Sequence, residues 1–148
     1  MLFYYMNKKI ILKKIPEAIN QIDFVHKLYF DIDFENKKKI EKSLHYKING
    51  YKSQDKRKKR KCLLITIEEL IEKILISKLN CYYCKQKMLL LYTMNRDPRQ
   101  WTLDRINNNE GHSKENTVIA CLQCNLKRRT LDDKKFLFTK QMKLIKKK

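Results

Sequence analysis

Residues 81–84 read CYYC and residues 121–124 read CLQC, with 36 residues between the two pairs. A CxxC turn aims both of its sulfurs at one point. Two such turns offer four thiolates, which is the tetrahedral sulfur set that zinc prefers. Four independently buried cysteines would have to reproduce this double spacing by chance. Cys81, Cys84, Cys121 and Cys124 are therefore the expected Zn²⁺ ligands. A site filled by four thiolates is closed, so the ion is expected to staple the fold and not to perform chemistry. In a small module it supplies stability that a limited apolar core cannot. Cys62 has no partner at such a spacing and is expected to pack at the head of a helix.

The residues around the pairs predict how they are delivered. Thr66 with Glu69 three positions later forms a capping box, and Ile67, Leu70, Ile71, Ile74, Leu75 and Leu79 continue one apolar face. This predicts a helix from Ile67 to Leu79 that runs into the first cysteine pair. Met88 to Tyr92 reads as a short strand, residues 96–99 (RDPR) as a loop, Trp101 to Ile106 as a second strand and Asn107 to Gly111 as a turn. Thr117 to Ala120 reads as a third strand pairing back, after which the second cysteine pair opens a basic helix. Thr130 and Asp133 mark the start of a last helix over Leu131 to Lys143.

The N-terminal part is less regular. Phe3 to Ile11 reads as a strand, Pro16 as a break, and Ile19, Ile22, Val25 and Tyr29 have helical spacing. Asn36 to Ile48 predicts a lysine-studded helix ending near Gly50. Residues 51–61, YKSQDKRKKRK, hold seven positive charges and one negative. Such self-repulsion argues against a packed element and marks a domain boundary, used either as a linker or as a phosphate-gripping arm. The expected organisation is an N-terminal extension over residues 1–50, a basic linker or arm over 51–61, and a compact module over 62–148.

Lys and Arg total 35 against 16 Asp and Glu, a formal charge of +19. That favours a polyanion, nucleic acid first, as partner. No stretch supplies the roughly 18 to 20 uncharged apolar residues that span a bilayer, and Met1 to Lys14 lacks a cleavage site of secretory type. The expected setting is intracellular and reducing, where cysteines ligate metals and do not form disulfides. A basic run such as 51–61 can also signal nuclear import in a eukaryotic host.

Residues 101–127, WTLDRINNNEGHSKENTVIACLQCNLK, resemble the HNH, or ββα-metal, endonuclease family, and the similarity extends over about residues 62–143. The resemblance implies an α+β fold: a ββα-metal core tied by the four-cysteine site, preceded by a helix and a basic N-terminal extension. It implies hydrolysis of nucleic-acid phosphodiesters, DNA preferred, with Mg²⁺ or Mn²⁺ and no small-molecule cofactor. Asp104 matches the family's strand Asp, Asn116 its central loop Asn, and Asn125 its helix ligand. Asp104 and Asn125 offer hard oxygen donors to the divalent ion, which neutralises developing charge on the phosphate. Asn116 is expected to bridge the two sides of the loop.

Arg105 stands where the family places its general-base histidine. An arginine stays charged at neutral pH and cannot serve as that base. Three readings follow. His112 in the loop supplies the base, since histidine titrates near neutrality. Alternatively the ion or the substrate phosphate activates water while Arg105 clamps the phosphate. Or cutting is lost, leaving a silent module that binds nucleic acid or docks on a nucleoprotein assembly. Arg96, Arg99, Lys127, Arg128 and Arg129 are candidate phosphate contacts, as are Lys56, Arg57, Lys58, Lys59, Arg60 and Lys61 of the basic run.

Overall fold

The computed structural model describes residues 21–146. The strand expected at Phe3 to Ile11, the break at Pro16 and the helical position Ile19 lie outside them. Among the described residues the chain forms five helices and one two-stranded sheet, an α+β arrangement. In chain order these are α1 (Ile22–Tyr29), α2 (Lys37–Arg57), α3 (Ile67–Ser77), β1 (Trp101–Arg105), β2 (Thr117–Cys121), α4 (Leu122–Arg128) and α5 (Asp133–Lys146). None of these helices is long and apolar enough to cross a membrane.

Helix α3 starts as its sequence dictates. Thr66 accepts from the Glu69 amide at 3.2 Å, and Glu69 accepts from the Thr66 amide at 3.0 Å, which satisfies two orphan donors at once. It stops at Ser77 because Lys78 and Leu79 both take positive φ, 53° and 59°. This reversal turns the chain into the first cysteine pair, where the Met88 amide closes onto Leu79 O at 2.6 Å.

Strands β1 and β2 run antiparallel, with Trp101 opposite Cys121 and Asp104 opposite Val118. Helix α4 follows β2 without a connecting residue and packs back on both strands. The strand–strand–helix order therefore ends with Cys121 as the last residue of β2 and the N-cap of α4, its sulfur accepting from the Cys124 amide at 3.4 Å.

Four expectations change. Met88 to Tyr92 is not a strand; Leu89 makes one bridge to Gln100, while the amides of Leu90 and Leu91 donate to the side-chain oxygen of Gln21 at 2.7 and 2.9 Å. A side chain from the N-terminal part thus satisfies polar groups that a sheet would otherwise take. The last helix begins at Asp133, and its cap is Asp132, which accepts from the Lys135 amide at 3.0 Å, so Thr130 has no such role. Cys62 is exposed and lies beside Asp55 rather than packing at a helix head.

The largest change is α2. It does not stop near Gly50 but continues to Arg57, through the first seven residues of the segment read as a linker. Its inner face is Ile40, Leu44, Ile48, Tyr51 and Asp55, spaced four, four, three and four apart, while Lys52, Lys56 and Arg57 point to solvent. Asp55 is 5 % exposed and pairs with Arg60 at 3.5 Å, supplying a counter-charge inside the basic run. Buried residues of α1 and α2, such as Val25 and Leu44, share one hydrophobic cluster with Leu70, Trp101, Leu103 and Ile119. No break in this core falls at residues 51–61.

Candidate functional site

Burial of the knuckles brings the four cysteines together. Their sulfurs all lie within 4.8 Å of one another, close enough to hold a metal ion such as zinc. The Cys121 amide donates to Cys81 Sγ at 3.3 Å, and the Tyr82 amide donates to Ile119 O at 3.0 Å, so the first pair is laced to β2. Hydrogen bonds from the sulfurs of Cys121 and Cys124 hold the Cys81 thiol well below its usual range, and the same contacts push the Cys124 thiol well above it.

The first knuckle also reaches the strand. Tyr83, fully buried between the two cysteines, donates its hydroxyl to Asp104 Oδ2 at 2.6 Å. Burial, then the contact with Asp104, pushes this phenol far above its ordinary value, so it remains a donor. Arg128 donates to the same oxygen at 2.7 Å and to the carbonyls of Arg105 at 2.5 Å, Ile106 at 2.8 Å and Leu131 at 2.9 Å. Arg128 is only 1 % exposed. It was expected among the phosphate contacts. Instead its guanidinium is consumed inside the fold, where burial opposes its charge but the bond and charge of Asp104, with Tyr83 and Asp133, together outweigh it.

Asp104, 5 % exposed, lines a cleft of about 980 Å³ between α2, β1 and α4. Both of its hydrogen bonds fall on Oδ2, leaving Oδ1 without a partner among the described residues. Asn125 lines the same cleft, and its Nδ2 donates to Thr102 Oγ1 at 3.0 Å, which fixes the amide and leaves its oxygen unused. Asn116 does not line the cleft. Its Nδ2 donates to Asn107 O at 3.0 Å and Gly111 O at 2.9 Å, while its Oδ1 accepts from the Asn107 amide at 2.8 Å. It bridges the two sides of the loop.

Arg105 Nη1 donates to Asn108 O at 2.6 Å and Glu110 O at 3.2 Å, bracing that loop from the cleft side. Burial, then repulsion from Arg60, lowers its pKa from the ordinary arginine value. His112 also lines the cleft and is 3 % exposed. Its Nδ1 sits 2.9 Å from Asp55 Oδ1, and its amide donates to Asp55 Oδ2 at 2.8 Å. Tyr51 stacks on the imidazole with ring centroids 4.4 Å apart. Burial lowers the His112 pKa below its ordinary value; Asp55 opposes this, and Arg105 and Arg60 add to it. Burial alone would raise Asp55, but the bonds from His112 and Arg60 outweigh it and hold the carboxyl below the usual range.

Comparison with known protein families, curated proteins and solved structures gives no match.

The cations expected to touch nucleic acid divide into groups. Arg60, Arg105 and Arg129 line the cleft, whereas Lys56, Arg57, Lys58, Lys59 and Lys61 are exposed at the end of α2 and beyond it. Lys127 is exposed on α4 but does not line the cleft. Arg96 is exposed in its loop. Arg99 lies elsewhere, lining a cleft of about 260 Å³ beside Cys84, Cys121 and Cys124 with Lys87, Lys140 and Lys143. Two residues central to the site, Asp55 and Tyr51, belong to no motif that the sequence displays. The signal for Asp55 was present: it is the one acid in a run of seven basic residues.

Proposed function

We propose that this chain is a metal-dependent endonuclease that hydrolyses DNA phosphodiester bonds, with Zn²⁺ in the four-cysteine cluster as a structural ion. One observation carries the reading. A single open cleft gathers a carboxylate oxygen of Asp104 and the amide of Asn125 with an imidazole, His112, and three guanidinium groups, Arg60, Arg105 and Arg129.

The donor set fits a Mg²⁺ or Mn²⁺ ion. Asp104 Oδ1 and the Asn125 amide oxygen are hard donors with no other partner among the described residues. When bound, such an ion neutralises charge that develops on the phosphate. The chain's own residues do the rest. Tyr83 and Arg128 fix the Asp104 carboxylate through its other oxygen. Thr102 fixes Asn125, and Asn116 with Arg105 holds the loop that carries His112. Arg60, Arg105 and Arg129 favour an anionic phosphodiester in the cleft, since guanidinium forks match phosphate geometry. The exposed run from Lys56 to Lys61 extends that positive surface for a duplex backbone.

Supercoiled plasmid incubated with and without Mg²⁺ or Mn²⁺ tests this. Metal-dependent nicking is expected in the parent. Asp104→Asn, which retains an acceptor for Tyr83 and Arg128, and Asn125→Ala should both abolish it while zinc content persists. No nicking on plasmid, single-stranded or branched DNA with either ion would instead favour a module that only binds nucleic acid.

A further inference from the structure

We infer that Asp55 is a positioning residue for His112: it holds the imidazole as the Nδ1–H tautomer so that Nε2 presents its lone pair to the cleft as a proton acceptor. The proton-accepting role rests on the endonuclease reading; the tautomer does not.

The geometry assigns the tautomer. An ionised carboxylate can only accept, so the His112 amide at 2.8 Å from Oδ2 and the ring Nδ1 at 2.9 Å from Oδ1 must both donate. In the neutral ring the second nitrogen then carries no proton. Nε2 has no hydrogen-bond partner among the described residues, although the His112 side chain is only 4 % exposed and lines the cleft. A buried polar atom without a partner is costly, and in a native fold it asks for a ligand. Water on its way to a phosphate supplies one.

The ring is also held against rotation. Tyr51 stacks on it at 25°, and the Tyr51 hydroxyl accepts from the Leu103 amide at 3.0 Å, next to Asp104. The groups that face His112 come from three elements: Asp55 and Tyr51 on α2, Arg60 and Cys62 just after it, and Arg105 at the end of β1. Two of these are permanent cations, which with burial disfavour a positive charge on the ring. The imidazole is therefore a free base at neutral pH, with Asp55 ready to stabilise the imidazolium formed in the reaction.

The step balances simply. Nε2 takes a proton from water as the water oxygen bonds to phosphorus. The bond from phosphorus to the departing sugar oxygen breaks, that oxygen keeps the electron pair, and solvent protonates it. The imidazolium then returns its proton to solvent.

Asp55→Asn separates positioning from mere packing, because an amide keeps the shape but its NH₂ can donate to Nδ1 and so favour the Nε2–H tautomer. Nitrogen-15 shifts of the three histidines are expected to show one Nδ1–H tautomer in the parent and its loss in Asp55→Asn. Nicking should fall on the order of 10²- to 10⁴-fold, the range for a misplaced general base, and the rising limb of the pH–rate profile should be lost. If Asp55→Asn does not fold, the parent spectrum still decides: an Nε2–H tautomer at His112 overturns the inference. So does a folded Asp55→Asn protein with the parent's rate and pH limb. A parent that shows the Nδ1–H tautomer but cuts no DNA with either ion overturns the endonuclease reading and the proton-accepting role with it, while Asp55 stands as the residue that orients His112.

Discussion

Arg128→Ala separates the two roles that this residue could have on α4. A solvated phosphate contact would cost the fold almost nothing, within about 0.5 kcal/mol. The structure gives a different magnitude. Truncation leaves the Asp104 carboxylate, 5 % exposed, without its cation, and breaking a buried pair in this way costs about 3–5 kcal/mol. It also removes the donor from the carbonyls of Arg105, Ile106 and Leu131. These losses overlap, because the residues share one network and water can enter the vacated space, so about 3–5 kcal/mol is the expected total. For a chain of 148 residues that is a fall in Tm of about 6–20 °C, at roughly 2–4 °C per kcal/mol. Urea unfolding of zinc-loaded protein, with Arg129→Ala as the exposed neighbour, measures it. Arg129→Ala should unfold with the parent. Were Arg128→Ala to unfold within about 1 kcal/mol of the parent, the buried placement of its guanidinium would be refuted.

Three further outcomes are expected. Gly111→Ala places a Cβ 2.3 Å from Cys62 Sγ and 2.8 Å from Asp55 Oδ2, costing about 1–3 kcal/mol; adding Cys62→Ala should recover part of it, and a neutral Gly111→Ala in thermal melts would contradict the close approach. Because the folded state depresses the His112 pKa, the unfolded chain binds the extra proton first as pH falls. The stability due to neutral His112 is thus complete above about pH 6.5 and declines below it, so urea midpoints should drop from about pH 8 to about pH 5, and less so in His112→Gln. A flat profile in the parent would count against the buried neutral imidazole. Removal of the ion by a strong chelator should melt the structure between Cys81 and Cys124, with recovery on adding Zn²⁺, since ligation and folding are linked; an unchanged circular dichroism spectrum, or folded reduced protein without zinc, would be the opposite result.

Much of the C-terminal half is legible in the sequence because its signals are local. Thr66 and Glu69 announce the start of α3, CxxC spacing announces the cysteine cluster, and short runs of strand-forming residues bounded by turn residues announce β1 and β2. Asn116 bridges its loop as its family resemblance implied. What stayed hidden is tertiary. The inner face of α2 changes from Ile40, Leu44 and Ile48 to Tyr51 and Asp55 where it meets the cleft, so an apolar period ends while the helix does not. Charge counting then reads residues 51–61 as repelled and loose, because the partner of Asp55 is a histidine 57 residues away. Arg128 has the same flavour. Lys127, Arg128 and Arg129 are alike in sequence, and only their placement on the last turn of α4 and its C-cap decides that one is buried between solvent-facing neighbours.

Tyr83 ties two parts of the molecule into an interlock. Its backbone belongs to the cysteine knuckle and its hydroxyl to Asp104, so one of the two hydrogen bonds that align the carboxylate depends on the knuckle keeping its shape. An ion held by the four cysteines would perform no chemistry at the cleft, yet it would bear on whether the cleft is assembled. Loss of that ion should therefore silence the molecule in an all-or-none manner, each chain being either fully assembled or idle, and the competent fraction in a population would report how much of the ion its surroundings can supply.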